Sequence, residues 1–327
     1  MKRSVRTFAA IGAALALLVV AFTVLNWAPD RSVTELAGRW AGPPSVFLEL
    51  EGLQVHLRDE GRRDDPTPIV LLHGTSASLH TWDGWVAGLA PARRVIRVDL
   101  PGFGLTGPAL DDDYRIERYV EFVIALLDTL GVERCVLAGN SFGGWISWET
   151  ALAEPDRVAA LILVDAAGYP LESESVPIGF RIARIPLLNR LMEVTLPRGV
   201  VESSLRNTYG DPSRVTPRLV DRYYELTLRA GNRAALARRF ADAQPTDRTA
   251  RLKELRAPTL ILWGGRDRLI PPGYGERFHD DIPDSHLVLF PELGHVPHEE
   301  DPVATVAAVL SFLDELGARI GASPPDE

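Results

Sequence analysis

One cysteine, Cys135, leaves no partner for an internal disulfide and no thiolate set for a structural zinc, although it says nothing about the redox compartment. Lysine is almost absent too: only Lys2 and Lys253 stand among 35 basic residues, an arginine preference that marks no site by itself. Positive charge is in deficit, 35 Lys and Arg against 44 Asp and Glu for a net charge of -9. The chain therefore lacks the basic face on which nucleic-acid binding by counterion release depends. Internal repeats are missing as well.

What is present is a folding composition. With 46% hydrophobic and 24% charged residues over 327 positions, the chain can bury one large core or two small ones. From Thr7 to Pro29 no residue is charged, and 23 residues at 1.5 Å each reach about 35 Å, against about 30 Å of bilayer hydrocarbon. Lys2, Arg3 and Arg6 precede this run, while Asp30, Arg31 and Glu35 follow it. The expectation is an uncleaved transmembrane anchor over 1–30, with Trp27 at the interface and the bulk of the chain extracytoplasmic. A cleaved signal peptide followed by secretion is the alternative.

Residues 31–44, with Gly42, Pro43 and Pro44, read as a linker. The runs from Val46 to Leu50 and from Leu53 to Leu57 flank Glu51-Gly52 as a β-hairpin. Short apolar runs then recur at Ile69 to Leu72, Val95 to Val98, Cys135 to Ala138, Leu161 to Val164, Thr259 to Trp263 and Leu287 to Phe290. They alternate with helical patterns, notably Ile116 to Leu130, Phe142 to Ala153 and Val303 to Leu316, so the expected class is α/β with a mostly parallel sheet. The alternation fails between 171 and 256, leaving a helical insertion over 171–245 between core segments 45–170 and 246–320, and a tail from 321. Between Leu171 and Arg256, 16 Arg and Lys face 10 Asp and Glu, which reads as a solvated helical surface.

Gly139-Asn140-Ser141-Phe142-Gly143 is a G-x-S-x-G placed between a strand and a helix. A serine hydroxyl is a weak nucleophile, and a sharp strand-to-helix turn both exposes it and aims the next N–H at a developing oxyanion. A base and an orienting acid should follow in the order Ser, Asp, His. Asp267 lies in the loop after Thr259 to Trp263, and His295 in the loop after Leu287 to Phe290. Asp165 also ends a strand and competes for the acid role. His298 is read as a helix-start or surface residue beside Glu299 and Glu300, with His279 and His286 in ordinary roles. The N–H groups of Thr75, in His73-Gly74-Thr75, and of Phe142 are the oxyanion donors, with His73 shaping the loop. Phe103 and Trp145 are candidate substrate contacts. Gly102 to Gly107 matches G-x-G-x-x-G, but Pro101, Pro108 and Asp111 to Asp113 make it a loop and not a dinucleotide site. Neither H-E-x-x-H nor C-x-x-C occurs, so no metal and no cofactor are expected.

Together these blocks, with Asp99-Leu100-Pro101-Gly102-Phe103-Gly104 between them, resemble the α/β-hydrolase superfamily from about Ser45 to Leu316. The resemblance implies an eight-stranded sheet and makes the insertion a cap over the site, where Phe180, Tyr209, Tyr223, Tyr224 and Phe240 are candidate pocket or cap-core aromatics. A serine at the elbow speaks against dehalogenases and epoxide hydrolases, which use aspartate there. The histidine loop is similar to that of capped bacterial carboxylesterases and lipases, so an ester or lipid-like substrate is the first expectation. The meta-cleavage-product hydrolases, which split carbon–carbon bonds, share a Gly-Asn-Ser-x-Gly-Gly elbow but typically carry tryptophan where Val296 stands. A ligand sensor on the same scaffold is the expectation from another class.

Overall fold

The computed structural model describes residues 2–170, 172–185, 188–242 and 247–322. Glu51 and Gly52 both take positive φ, 50° and 86°, and so join β1 (Val46–Leu50) to β2 (Leu53–Gly61) by a two-residue hairpin turn. Then come β3 (Ile69–Leu72), β4 (Arg94–Val98), β5 (Cys135–Asn140), β6 (Val158–Val164), β7 (Thr259–Gly264) and β8 (Ser285–Phe290). The eight strands lie in the order β1-β2-β4-β3-β5-β6-β7-β8, antiparallel over β1, β2 and β4 and parallel from β4 through β8.

The helices are α1 (Lys2–Leu25), α2 (Val33–Trp40), α3 (Asp83–Leu89), α4 (Ile116–Thr129), α5 (Phe142–Ala153), α6 (Ile178–Ala183), α7 (Leu188–Met192), α8 (Arg198–Thr208), α9 (Pro217–Thr227), α10 (Asn232–Asp242), α11 (Gly273–Asp281), α12 (Pro297–Glu300) and α13 (Pro302–Ala322). Strand side chains alternate between two cores. Val70, Leu72, Leu137 and Leu163 face α4, α5 and α11, while Ile69, Leu71, Val136 and Ile162 face α3 and α13. Burial on both faces is why these strands are continuous apolar runs.

Helices α6 to α10, between β6 and β7, form the expected cap. Its expected boundaries, 171 and 245, fall outside the described residues, as does the expected 321–327 tail beyond Ala322, where α13 ends. Most of its basic residues lie at least partly at the surface, but Arg222, Arg233 and Arg239 turn inward. Arg233 pairs with Asp30 at 2.6 Å, and Arg222 pairs with Glu299.

The expected membrane anchor is also corrected: among the described residues no helix is long and apolar enough to cross a membrane. The uncharged run does not continue as helix to Pro29. Helix α1 ends at Leu25, where the Asn26 amide donates back to Phe22 O at 2.9 Å. Trp27, expected at a lipid interface, forms a β-bridge with Thr195; Ala28 N donates to Val194 O at 3.0 Å, and Ala28 is buried against Leu196 and Leu228. The uncharged helical part, Thr7 to Leu25, is left at about 28 Å, short of about 30 Å of hydrocarbon. The expectations of a membrane partner through this helix and of a membrane-anchored catalytic domain fall with the anchor. Residues 31–44 hold α2, which buries Leu36 and Trp40 against Leu226 of α9.

The G-x-G-x-x-G loop wraps around one buried carboxylate. Asp99 accepts from His56 Nδ1 at 2.7 Å, Leu79 N at 2.7 Å and Leu105 N at 2.8 Å. Burial opposes its ionisation, but the charge and hydrogen bond of His56 hold the carboxyl well below the usual range. A carboxyl lowered by folding stabilises above its unfolded value, near pH 4, and that contribution is lost as pH falls towards the folded value. Asp99→Asn is expected to cost about 3 kcal/mol at neutral pH. It should also flatten the acid limb of a melting-temperature profile below about pH 4; an acid limb identical to that of the unsubstituted protein would refute this role.

Candidate active site

The parallel strands all deliver their C-terminal ends to one edge of the sheet, where open α/β sheets place their sites. There β5 ends in Asn140 and passes through Ser141 into α5. Ser141 stands at φ 54°, ψ -114°, a region costing about 1–3 kcal/mol that persists only where the surroundings enforce it. Asn140 is buried and bonds two neighbours at once: its amide donates to Val164 O at 3.1 Å and to His295 O at 3.0 Å. The elbow is thereby tied to β6 and to the histidine loop.

Asp267 and His295 meet as expected, with His295 Nδ1 donating to Asp267 Oδ2 at 2.7 Å. The other oxygen, Oδ1, accepts from Leu269 N at 2.8 Å and Ile270 N at 3.0 Å. His295 and Ser141 line the same cavity. Asp165, the competing acid, is fully buried close by; one atom each of Asp165, Asp267 and His295 lies within 4.8 Å of the others. That trio has the composition of a cation site, but both Asp267 oxygens already accept hydrogen bonds, which suits an orienting acid. Asp165 Oδ1 accepts from Gly264 N at 3.0 Å, and among the described residues no donor reaches its Oδ2.

His73 sits beneath the loop, its Nδ1 donating to Gly74 O at 2.7 Å and its Nε2 accepting from Leu100 N at 3.0 Å. Burial lowers its pKa, so it holds the loop as a neutral ring. Thr75 lines the cavities on both sides of Ser141, and Phe142 lines one of them. Trp145 borders the latter. Phe103 reaches neither; it packs edge-on against His73 and borders a separate small pocket with Ser76 and Leu236. Of the cap aromatics, Phe180, Tyr223 and Phe240 line a cavity at Ser141, whereas Tyr209 is buried in a cap core and Tyr224 packs against another.

The two cavities differ in chemistry. One is walled mainly by aliphatic cap residues, among them Met192, Leu196, Val201 and Leu205. The other holds Arg184, Arg239 and Asp247 beside Phe142, Trp145 and Phe240. Arg239 went unremarked at the level of sequence, where the basic excess of the insertion was its only trace. Its guanidinium donates to Thr75 Oγ1 at 2.9 Å and stands over the rings of Phe142 and Phe240 at 4.3 and 4.7 Å.

An alpha/beta hydrolase fold family model matches residues 67–302. The chain belongs to this family. The α/β-hydrolase is 30% identical to the 2-hydroxy-6-oxo-2,4-heptadienoate hydrolase of Pseudomonas putida, over 80% of its own length and 93% of the relative's. The meta-cleavage product hydrolase CumD from Pseudomonas fluorescens IP01 superposes with a TM-score of 0.71 at 25% identity, covering 83% of this chain and 97% of that one. A membrane phospholipase A, described as a bacterial virulence factor, superposes with a TM-score of 0.72 at 25% identity, covering 97% and 99%.

His298 is not at the surface: it is fully buried, stacked on Trp82 with ring centroids 4.1 Å apart. Burial, then the charges of His295 and Arg222, push its pKa well down. Burial, then the charge of Asp267, push Asp165 well above the usual carboxylate range. A carboxyl raised by folding favours the fold below its unfolded value, near pH 4, and loses that contribution as pH rises towards the folded value. Asp165→Asn is thus expected to remove a decline in melting temperature above about pH 4. The same change should lower kcat less than about tenfold, whereas Asp267→Asn should lower it about 10⁴-fold. Equal losses in the two variants would show that the acids share one role.

Proposed function

We propose that this α/β-hydrolase is a serine hydrolase that cleaves a carbon–carbon bond in a 2-hydroxy-6-oxo-dienoate, the substrate class named for its meta-cleavage-product relatives. In the keto form of such an acid, Ser141 Oγ attacks the C6 carbonyl while His295 takes the serine proton and Asp267 fixes the imidazole. The N–H groups of Thr75 and Phe142 receive the oxyanion. Collapse breaks C5–C6, the electron pair moves into the conjugated oxo acid, and His295 returns the proton to carbon. Water activated by the same imidazole then releases the acyl group as a carboxylic acid.

Arg239 carries this reading. It is 7% exposed, and among the described residues it has no carboxylate at ion-pair distance. Its Nε lacks a hydrogen-bond partner. Burial lowers the guanidinium pKa to about 10, so it stays charged at neutral pH. A buried cation without a counter-ion is costly unless a ligand supplies the anion. A dienoate brings a carboxylate to that side of Ser141 and sends its ketone substituent into the aliphatic chamber on the other. A neutral ester has no use for the cation. Ester hydrolysis stands second, favoured by Val296 in place of tryptophan and by the mainly apolar lining of the aliphatic chamber.

The test is turnover of 2-hydroxy-6-oxohepta-2,4-dienoate and p-nitrophenyl butyrate by the same preparation. Ser141→Ala should abolish dienoate turnover by about a thousandfold or more. Arg239→Gln should reduce kcat/KM on the dienoate about 10- to 100-fold, and at least about tenfold more than on the ester. Faster ester turnover with equal sensitivity to Arg239→Gln would put ester hydrolysis first.

A further inference from the structure

The cap and the histidine loop meet backbone to backbone. A Cβ on Gly210 would stand 2.3 Å from Glu292 O, and one on Gly294 would stand 2.4 Å from both Gly210 N and Thr208 O. Across this contact His295 N donates to Thr208 O at 2.7 Å, so the last residue of α8 holds the backbone of the imidazole-bearing residue. The junction is closed by Glu300, which the sequence presents as a surface acid. Its Oε2 accepts from Gly210 N at 3.0 Å and Gly294 N at 2.9 Å, and its Oε1 from Asp211 N at 2.8 Å. Glu300 is 7% exposed and, among the described residues, pairs with no cation. Three backbone N–H groups from two segments are what satisfy it, an arrangement that fixes both segments to one point.

Helix α8 is also a wall of the aliphatic chamber, through Val200, Val201, Ser204, Leu205 and Thr208. A group filling that chamber bears on α8, and α8 ends on the backbone of His295. We propose that Glu300 is a positioning residue that couples occupancy of the aliphatic chamber to the placement of the His295 imidazole against Ser141. It would make the site most reactive towards substrates whose apolar part reaches α8. The neighbouring acid offers a built-in contrast. Glu299 also bolts the cap, through Arg222 and Tyr223 of α9, but among the described residues its carboxylate accepts no hydrogen bond from the loop that carries Gly294 and His295.

The inference rests on Ser141 being a nucleophile served by His295, and the experiment separates the two ideas. The probes are two alkylphosphonofluoridates, methyl and octyl. Ser141 Oγ attacks phosphorus, fluoride leaves and the serine proton passes to His295, so labelling reads the serine and its base without reference to the natural substrate. The full chain should label about 100-fold faster with the octyl than with the methyl probe, as a base misplaced by an ångström predicts for the unfilled chamber. In Glu300→Gln the octyl advantage should fall to about threefold or less, with methyl labelling retained and melting displaced by only a few degrees. Glu299→Gln should melt lower yet keep the full octyl advantage. Gly210→Ala, which parts the same backbones, carries the same expectation as Glu300→Gln if that variant fails to fold. An octyl advantage undiminished in folded Glu300→Gln or Gly210→Ala overturns the coupling. Absence of labelling in the full chain with either probe overturns the nucleophile reading itself, and the coupling with it.

Discussion

Helix α5 comes down onto the ends of β3 and β5 with no side chain between them. A Cβ on Gly143 would stand 2.2 Å from Leu72 O, and one on Gly139 would stand 2.2 Å from the carbonyl carbon of Gly143. That close approach holds Ser141 at positive φ, and the neighbours then use the strained residue as an anchor. Ser141 N donates to Val164 O at 2.9 Å, while Ala167 N and Trp145 N donate to Ser141 O at 3.0 and 3.1 Å. With the two bonds of Asn140, the elbow, the end of β6 and the loop bearing His295 become one bonded unit. The serine is pre-placed, and folding bears the cost before any substrate arrives.

The cap is joined to this unit by charge, an unusual choice for a buried junction. Arg222 meets Glu299, Arg233 meets Asp30, and Glu300 is met by backbone alone. Such contacts contribute little net stability when buried, yet removing one partner exposes the other to the full desolvation cost. They therefore favour one seating of the cap over sliding alternatives, which an aliphatic seam would permit. Arg239, by contrast, is buried and pairs with no acid among the described residues, and it lines a cavity that reaches Ser141.

Strands β3 to β7 were legible because each is a short, mainly apolar run buried on both faces, and the loops of Ser141, Asp267 and His295 were legible because chemistry demands those residue types in that order. What escaped reading shares a physical trait. Glu299, Glu300 and Arg239 are polar by type but buried by partners far along the chain: Glu300 by amides about ninety residues away, Arg239 by Thr75. Local periodicity scores them as surface, since nothing within a helical turn discloses the partner. The N-terminal run failed differently. Its lack of charge was real, but the hydropathy of Asn26 to Pro29 belongs to a strand-like contact with Thr195 and Leu196 and not to a span.

Order along the chain could not by itself choose between Asp165 and Asp267, since both end strands beside the same imidazole. Their surroundings differ in donors. Asp267 receives three donors, Leu269 N, Ile270 N and His295 Nδ1, whereas among the described residues Asp165 receives Gly264 N alone. Two carboxylates buried this close do not both ionise, because each raises the cost of the other's charge in a medium that water does not reach. The proton therefore resides where donors are fewest, on Asp165, beside an Asp267 side chain whose two oxygens are already met by Leu269 N, Ile270 N and His295 Nδ1.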